Sequence, residues 1–196
     1  MRENELCASK FLPALLLLLI LLTGCATTSK TVMSAQQPTA EPTWPKAGMS
    51  IPESNRVTFQ VTGARTETST WQSHILTSKL RHRLKEFTIF IQEEDKSLII
   101  AFYGYAGPGS YTLSGPTNGG DIRLDFGPQT GAWDLKLQAG ITCDLRITRD
   151  EPSAQPGVNH MQGTFNCPQL HAIGSNKAGT LVLSQASFDI YILLES

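Results

Sequence analysis

From Arg56 onward the chain runs in short stretches where apolar and polar residues alternate, broken by Gly, Pro, Asn and Asp. A period of two marks half-buried strands, because successive side chains leave a strand on opposite faces. In RVTFQVTG, Val57, Phe59 and Val61 fall on one face. FTIFIQ (87–92) and SLIIAFYGY are joined by EEDK, which predicts a hairpin with a four-residue connection. YTLSG, DIRLDFG and ITCDLRIT continue the series, with turns expected at Gly107-Pro108-Gly109, Asn118-Gly119-Gly120 and Gly127-Pro128. GTLVLSQ and ASFDIYILLE read as a last strand pair, in which Phe188, Ile190 and Ile192 share one face. The pattern predicts an all-β fold, a single antiparallel β-sandwich or β-barrel over residues 55–196. Both architectures give the same run of short alternating strands.

The segment 70–87 fits this pattern least. Ile75, Leu76, Leu80 and Leu84 stand at helical spacing, with Lys79, Arg81, Arg83 and Lys85 on the other side. Thr66, Thr68, Ser69, Thr70 and Thr77 oppose a helix, so strand and loop are expected over most of it, with a short helix as the alternative for 72–86.

Before residue 55 the texture differs. Residues 26–54 are dominated by Ser, Thr, Ala, Gln and Pro without apolar periodicity, and cannot bury enough surface to offset their ordering entropy. Residues 25–54 are therefore expected to form a disordered tether, with Trp44 its only large side chain. Ahead of it, residues 11–22 read FLPALLLLLILL. That run is too short for a bilayer-crossing helix, which needs roughly 20 apolar residues, and it suits the h-region of a secretory signal peptide. The n-region carries Arg2 and Lys10 but also Glu3 and Glu5.

Leu22-Thr23-Gly24-Cys25 closes the apolar run and resembles the lipobox of bacterial lipoproteins: Leu, a small residue, Gly or Ala, then Cys. The resemblance implies signal peptidase recognition at Leu22, Thr23 and Gly24, diacylglycerol on the Cys25 thiol, cleavage after residue 24 and acylation of the new amino group. More than one acyl chain is needed for stable anchoring. Ala26 in place of Asp implies transfer to the outer membrane, with the partner being the membrane itself through the acyl chains.

With 16 basic and 17 acidic side chains and a formal net charge of −1, no basic face for nucleic acid is indicated. Of four cysteines, Cys7 would leave with the signal peptide and Cys25 would carry lipid, leaving Cys143 and Cys167 as an even pair in an oxidising compartment. If ITCDLRIT and MQGTFNC form a hairpin centred on Gln155, these two lie directly opposite and a cross-strand disulfide follows. Gly107-Pro108-Gly109-x-Tyr111, Cys143 and Gly163-x-Phe165-x-Cys167 together resemble a pattern in small β-rich bacterial envelope lipoproteins. That resemblance implies the β fold and the disulfide, and no activity.

Candidate chemistry is sparse. Cys143, His160, Cys167 and His171 can be written as a zinc set, but a disulfide would consume both thiols, so no metal or cofactor is expected. His74 and His82 have no partner at a periodic spacing. No Gly-x-Ser-x-Gly elbow occurs. Glu93, Glu94 and Asp95 read as a solvated hairpin tip. Asp121 and Asp125 suggest a calcium loop only loosely, and a turn followed by outward polar positions explains them better. Among the aromatics around the Gly-Pro-Gly turn (Phe102, Tyr103, Tyr105 and Tyr111), Tyr103 and Tyr105 would share a sheet face and are the candidates for binding.

The expectation is thus a membrane-anchored envelope lipoprotein with a non-catalytic binding or structural domain. Its partner would be an envelope protein, a glycan or a small ligand. The alternatives are an envelope hydrolase, or an inhibitor of a host enzyme that presents residues 106–110 as a rigid exposed loop.

Overall fold

The computed structural model describes residues 46–117, 119–135, 140–174 and 179–195. The segment expected to be a signal peptide, with Leu22, Thr23, Gly24, Cys25 and Trp44, lies outside the described residues, which all belong to a compact unit spanning Pro42–Ser196.

The period-two pattern produces eleven strands among the described residues. Two long ones dominate, β10 (Val158–Ile173) and β11 (Thr180–Glu195), paired antiparallel along nearly their whole length. Each has more than one neighbour along its other edge. β11 meets β1 (Ser50–Gly63) over Leu181 to Asp189, then β3 (Lys79–Arg81) at Leu193 to Glu195. β10 meets β9 (Cys143–Pro152) at Asn159 to Asn166, then β8 (Ala132–Asp134) at His171 to Ile173. β2 (Glu67–Ile75) flanks β1, and β6 (Gly109–Leu113) flanks β9. β4 (Glu86–Glu93), β5 (Lys96–Tyr103) and β7 (Gly120–Asp125) complete a second layer that runs β3-β4-β5-β7-β8.

The two layers join where β3 takes the C-terminal end of β11 and β8 takes the C-terminal end of β10. Because β10 and β11 are antiparallel, these joins lie at opposite ends of the hairpin. The ring β11-β3-β4-β5-β7-β8-β10 is closed, a flattened barrel with β1-β2 and β9-β6 extending its first layer. Antiparallel pairing holds throughout except at β11–β3, which is parallel. Glu195 secures that join: its carboxylate takes Lys79 at 2.8 Å and Arg81 at 2.9 Å.

The core follows the alternation. Val57, Phe59, Val61, Ile89, Ile91, Leu98, Ile100, Phe188, Ile190 and Ile192 are all buried in one cluster. Trp71 and Phe126 pack edge-on against Phe59 and each other, with ring centroids 4.8 to 6.2 Å apart.

Several expectations need correction. The domain starts earlier than residue 55: β1 begins at Ser50, Ile51 is buried, and Leu76 pairs its backbone with Gly48 and Met49. The segment 72–86 is strand and loop as expected, with one 3-10 turn at His82–Leu84 in place of the alternative short helix, and Ile75 and Leu84 are exposed. The β4–β5 connection is the two residues Glu94 and Asp95, not four, with Glu94 at φ 55. The last strand pair is a single strand, β11, whose pairing with β1 and β10 shifts register around Gln185 (φ 50).

Candidate functional site

The outward face of β10 and β11 carries a constellation of polar and aromatic groups. Its origin is the same alternation that fills the core: Phe188, Ile190 and Ile192 point inward, so Asp189 and Tyr191 must point outward. Register sets His160 opposite Tyr191 and Gln162 opposite Asp189. The His160 and Tyr191 rings stack nearly parallel, with centroids 4.9 Å apart and planes 10° apart. His160 Nε2 bonds Asp189 Oδ1, and Gln162 Nε2 donates to Asp189 Oδ2 at 3.0 Å.

Tyr191 is held from a second side. Its hydroxyl donates to Glu53 of β1, and its backbone N–H donates to Asn55 Oδ1 at 2.7 Å. Burial, then the hydrogen bond to Glu53, pushes the Tyr191 phenol up to about 12. From β9, Arg149 forks onto Glu151 through Nε at 2.9 Å and Nη2 at 2.6 Å.

These residues border two adjoining hollows. A half-open cleft of about 260 Å³ lies among Ile51, Glu53, Arg149, Pro152, His160 and Tyr191. A shallower hollow of about 320 Å³ is lined by Glu53, Arg56, Asp189 and the same His160 and Tyr191. The stacked pair and Glu53 are therefore common to both. Chemically the arrangement supplies hydrogen-bond donors, acceptors and ring faces. Asp189 on His160 Nε2 stands where an orienting carboxylate would, and an activated nucleophile would need a hydroxyl or thiol on the opposite nitrogen, Nδ1.

Of the described residues singled out from sequence, His160 falls in this constellation and the others lie elsewhere. Cys143 and Cys167 sit in the core, directly opposite, with Cα atoms 4.4 Å apart and their sulfurs joined. Their pairing removes the zinc set, and among the described residues no three His, Cys, Asp or Glu converge to hold a metal ion. His160 is on the outer face of the hairpin. His171 is at the β8 join opposite Asp134, where its Nε2 and Asp134 Oδ1 are buried without a partner among the recorded bonds. His74 and His82 are exposed.

Tyr103 and Tyr105 do not share a face. Tyr103 ends β5 and is 47% exposed, whereas Tyr105 is 5% exposed. Gly104, at φ 96, breaks the alternation between them and turns Tyr105 onto Phe87 and Tyr111. Burial, and then Asp150 at 2.5 Å from its hydroxyl, raises the Tyr105 phenol far above its ordinary value. Asp150 also accepts from Asn159 at 2.6 Å, so Tyr105 is a structural tie between the β5–β6 loop and the β9–β10 hairpin.

Asp121 and Asp125 serve the turns. Asp121 Oδ1 accepts from Ile122 N at 2.9 Å, and Asp125 Oδ1 accepts from Gly127 N at 3.0 Å. Burial raises the Asp121 carboxyl, with Asp134 adding to the shift. Glu93 reaches back to the Gln72 N–H at 3.2 Å, so one carboxylate of the EEDK tip has a partner. The loop 106–110 is clasped by Tyr111, whose hydroxyl donates to Gly107 O and accepts from Ala106 N at 3.2 Å.

Sequence reasoning missed Glu53, Arg149, Asp189 and Tyr191. Glu53 was counted in the tether. The signal for Asp189 and Tyr191 was present in FDIYI, where the residues between the inward Phe188, Ile190 and Ile192 are an acid and an aromatic. Comparison of the chain with protein-family models, with curated proteins and with solved structures returned no match.

Proposed function

We propose that the chain is a bacterial envelope lipoprotein, anchored to the outer membrane by acyl chains on Cys25, whose β domain binds its ligand without transforming it. Three features support the anchoring: the apolar run at 11–22, the Leu22-Thr23-Gly24-Cys25 box that closes it, and the polar tether that follows. The joined cysteines suit an oxidising compartment. The observation that carries the non-catalytic reading is that the polar groups of the constellation are bonded largely to one another, His160 and Gln162 to Asp189 and Tyr191 to Glu53. The competing reading, an envelope hydrolase, would need a serine hydroxyl on the His160 ring; Ser153 lines the cleft with His160, but its Oγ donates to Gln155 O and accepts from Gln155 N, both at 3.1 Å, and Ser54 lines the second hollow.

The test is the intact mass of the protein purified from membranes, with and without reductant. A chain beginning at Cys25, heavier by its acyl groups and gaining two hydrogens on reduction, is the expected result. An unmodified mass beginning at Met1 would sink the anchored reading. A second reading, inhibition of a host enzyme, is favoured by the clasp of Tyr111 on Gly107, which fixes an exposed turn. Substituting Pro108 or Ser110 would then weaken enzyme inhibition and leave the outer-face hollows unaffected.

A further inference from the structure

We propose that the cleft beside Tyr191 binds a neutral saccharide ring, either free or at the end of a glycan chain. This rests on the reading of the domain as a binding module and adds the class of its ligand.

Charge narrows the choice first. The cleft is lined by one acid, Glu53, and one base, Arg149, which is forked onto Glu151, and the adjoining hollow by Glu53 and Asp189 against Arg56. An anionic ligand would find no excess of positive charge, and the guanidinium that lines the cleft is already paired with Glu151. A metal ion is disfavoured, because no three ligating side chains converge among the described residues.

Composition narrows it further. Ile51, Pro152 and Ala154 give the cleft an apolar part, and the Tyr191 and His160 rings form its wall. Glu53, Arg149 and Gln155 give it a polar part. A ligand matched to both must carry an apolar face and a rim of hydroxyls that donate and accept. A sugar ring has that construction: axial C–H groups pack on an aromatic face while the hydroxyls pair with planar carboxylate, amide and guanidinium groups. A purely apolar ligand would leave the polar groups desolvated without partners.

Size and rigidity agree. The cleft, at about 260 Å³, falls below the roughly 300–1,000 Å³ of sites for drug-sized molecules, so it suits one ring rather than a long chain. Tyr191 is held by its ring stack on His160, by its hydroxyl on Glu53 and by its N–H on Asn55, so little side-chain freedom is lost on binding.

The experiment uses the full lipidated chain in a detergent without a sugar headgroup. The ring protons of His160, identified by their loss in His160→Gln, are followed by NMR. The probes are the methyl β-glycosides of glucose, galactose and N-acetylglucosamine, with glucuronate and putrescine as charged probes. The expected result is a saturable shift with at least one neutral glycoside, in the millimolar to micromolar range usual for a small site. Tyr191→Ala should abolish it, and Tyr103→Ala, on a different surface, should leave it unchanged. Glu53→Gln, at an exposed position that folding tolerates, should weaken binding roughly fivefold, as for the loss of one hydrogen bond.

No shift with any neutral glycoside overturns the proposal. A shift with glucuronate or putrescine alone, lost in Tyr191→Ala, overturns the saccharide class while leaving the cleft as a binding site. Release of methanol from a bound glycoside would instead overturn the non-catalytic reading and uphold the ligand class.

Discussion

Asn55 and Tyr191 meet where two strands change partners. β11 pairs with β1 as far as Asp189 and with β3 from Leu193, and the backbone N–H of Tyr191 falls in the gap. Asn55 Oδ1 fills the gap at 2.7 Å, while its Nδ2 donates to Ile75 O at 2.9 Å, all with the side chain fully buried. One amide thus stands in for a missing stretch of ladder and fixes the backbone beneath the Tyr191 ring.

Asn55→Ala should therefore cost about 1–3 kcal/mol of stability, the penalty for buried groups left unpaired, read as a lower urea midpoint. Asn55→Asp should cost more, because it keeps the acceptor for Tyr191 but sets a carboxylate against the Ile75 carbonyl. A near-neutral Asn55→Ala would show that water replaces the amide at this position.

The cystine should be worth less to the fold than to its persistence. Cys143 and Cys167 already face each other across the β9–β10 ladder, whose neighbouring pairs Asp144–Asn166 and Leu145–Phe165 are in register. With a sequence separation of 24, reduction should lower stability by roughly 2–4 kcal/mol through the unfolded chain, while the far-UV spectrum of the folded protein stays unchanged. Loss of β signal on reduction, without denaturant, would contradict this.

Asp121 offers a pH-dependent test. Burial and Asp134 raise its carboxyl, so the folded state holds that proton more tightly than the unfolded state does. The linked stability is present below the ordinary carboxylate value of 3.8 and is lost as pH rises through the raised folded value. Asp121→Asn, which still offers an oxygen to the Ile122 N–H, should stabilise the protein at pH 7 and gain nothing at pH 3. Urea midpoints at the two pH values would decide it, and a destabilised Asn variant at pH 7 would refute the sign.

Gly163 is the contact point of a different kind of constraint. It pairs with Phe188 across β10–β11, and a Cβ at this position would come within 2.5 Å of Phe188 Cζ and closer still to the Arg146 carbonyl. Gly163→Ala should cost about 1–3 kcal/mol by overpacking. In a Phe188→Leu background the extra cost should shrink, leaving the carbonyl clash, and a double-mutant cycle would separate the two. Full additivity would mean that the ring moves aside freely.

The β9–β10 hairpin was legible because its evidence is local: turn formers bracket Gln155, and residues at equal distances from it pair as expected from Asn166–Asp144 to Gly163–Ile147. A single register shift between Gln162 and Gly163 then displaces the pairs nearer the turn, and no residue type announces it. Tyr105 was misplaced for a related reason. Alternation carries no memory past a glycine at positive φ, so Gly104 resets which face follows. Ring closure left no trace at all in the sequence pattern, because it depends on two three-residue strands, β3 and β8, paired with partners far along the chain. The outer-face site shared that fate: Glu53, Arg149, His160 and Tyr191 are brought together only by the register of four strands.

That closure also sets an order of events. β11 alone contacts β10, β1 and β3, and the barrel has no seam to close until its residues are available. In a chain made from its amino end, the earlier strands wait as open ladders with exposed apolar faces, since the non-local pairings that would cover them come last. A chain that stopped short of β11 would thus present unpaired edges of β1, β3 and β10 at once, and should aggregate more readily than the full one.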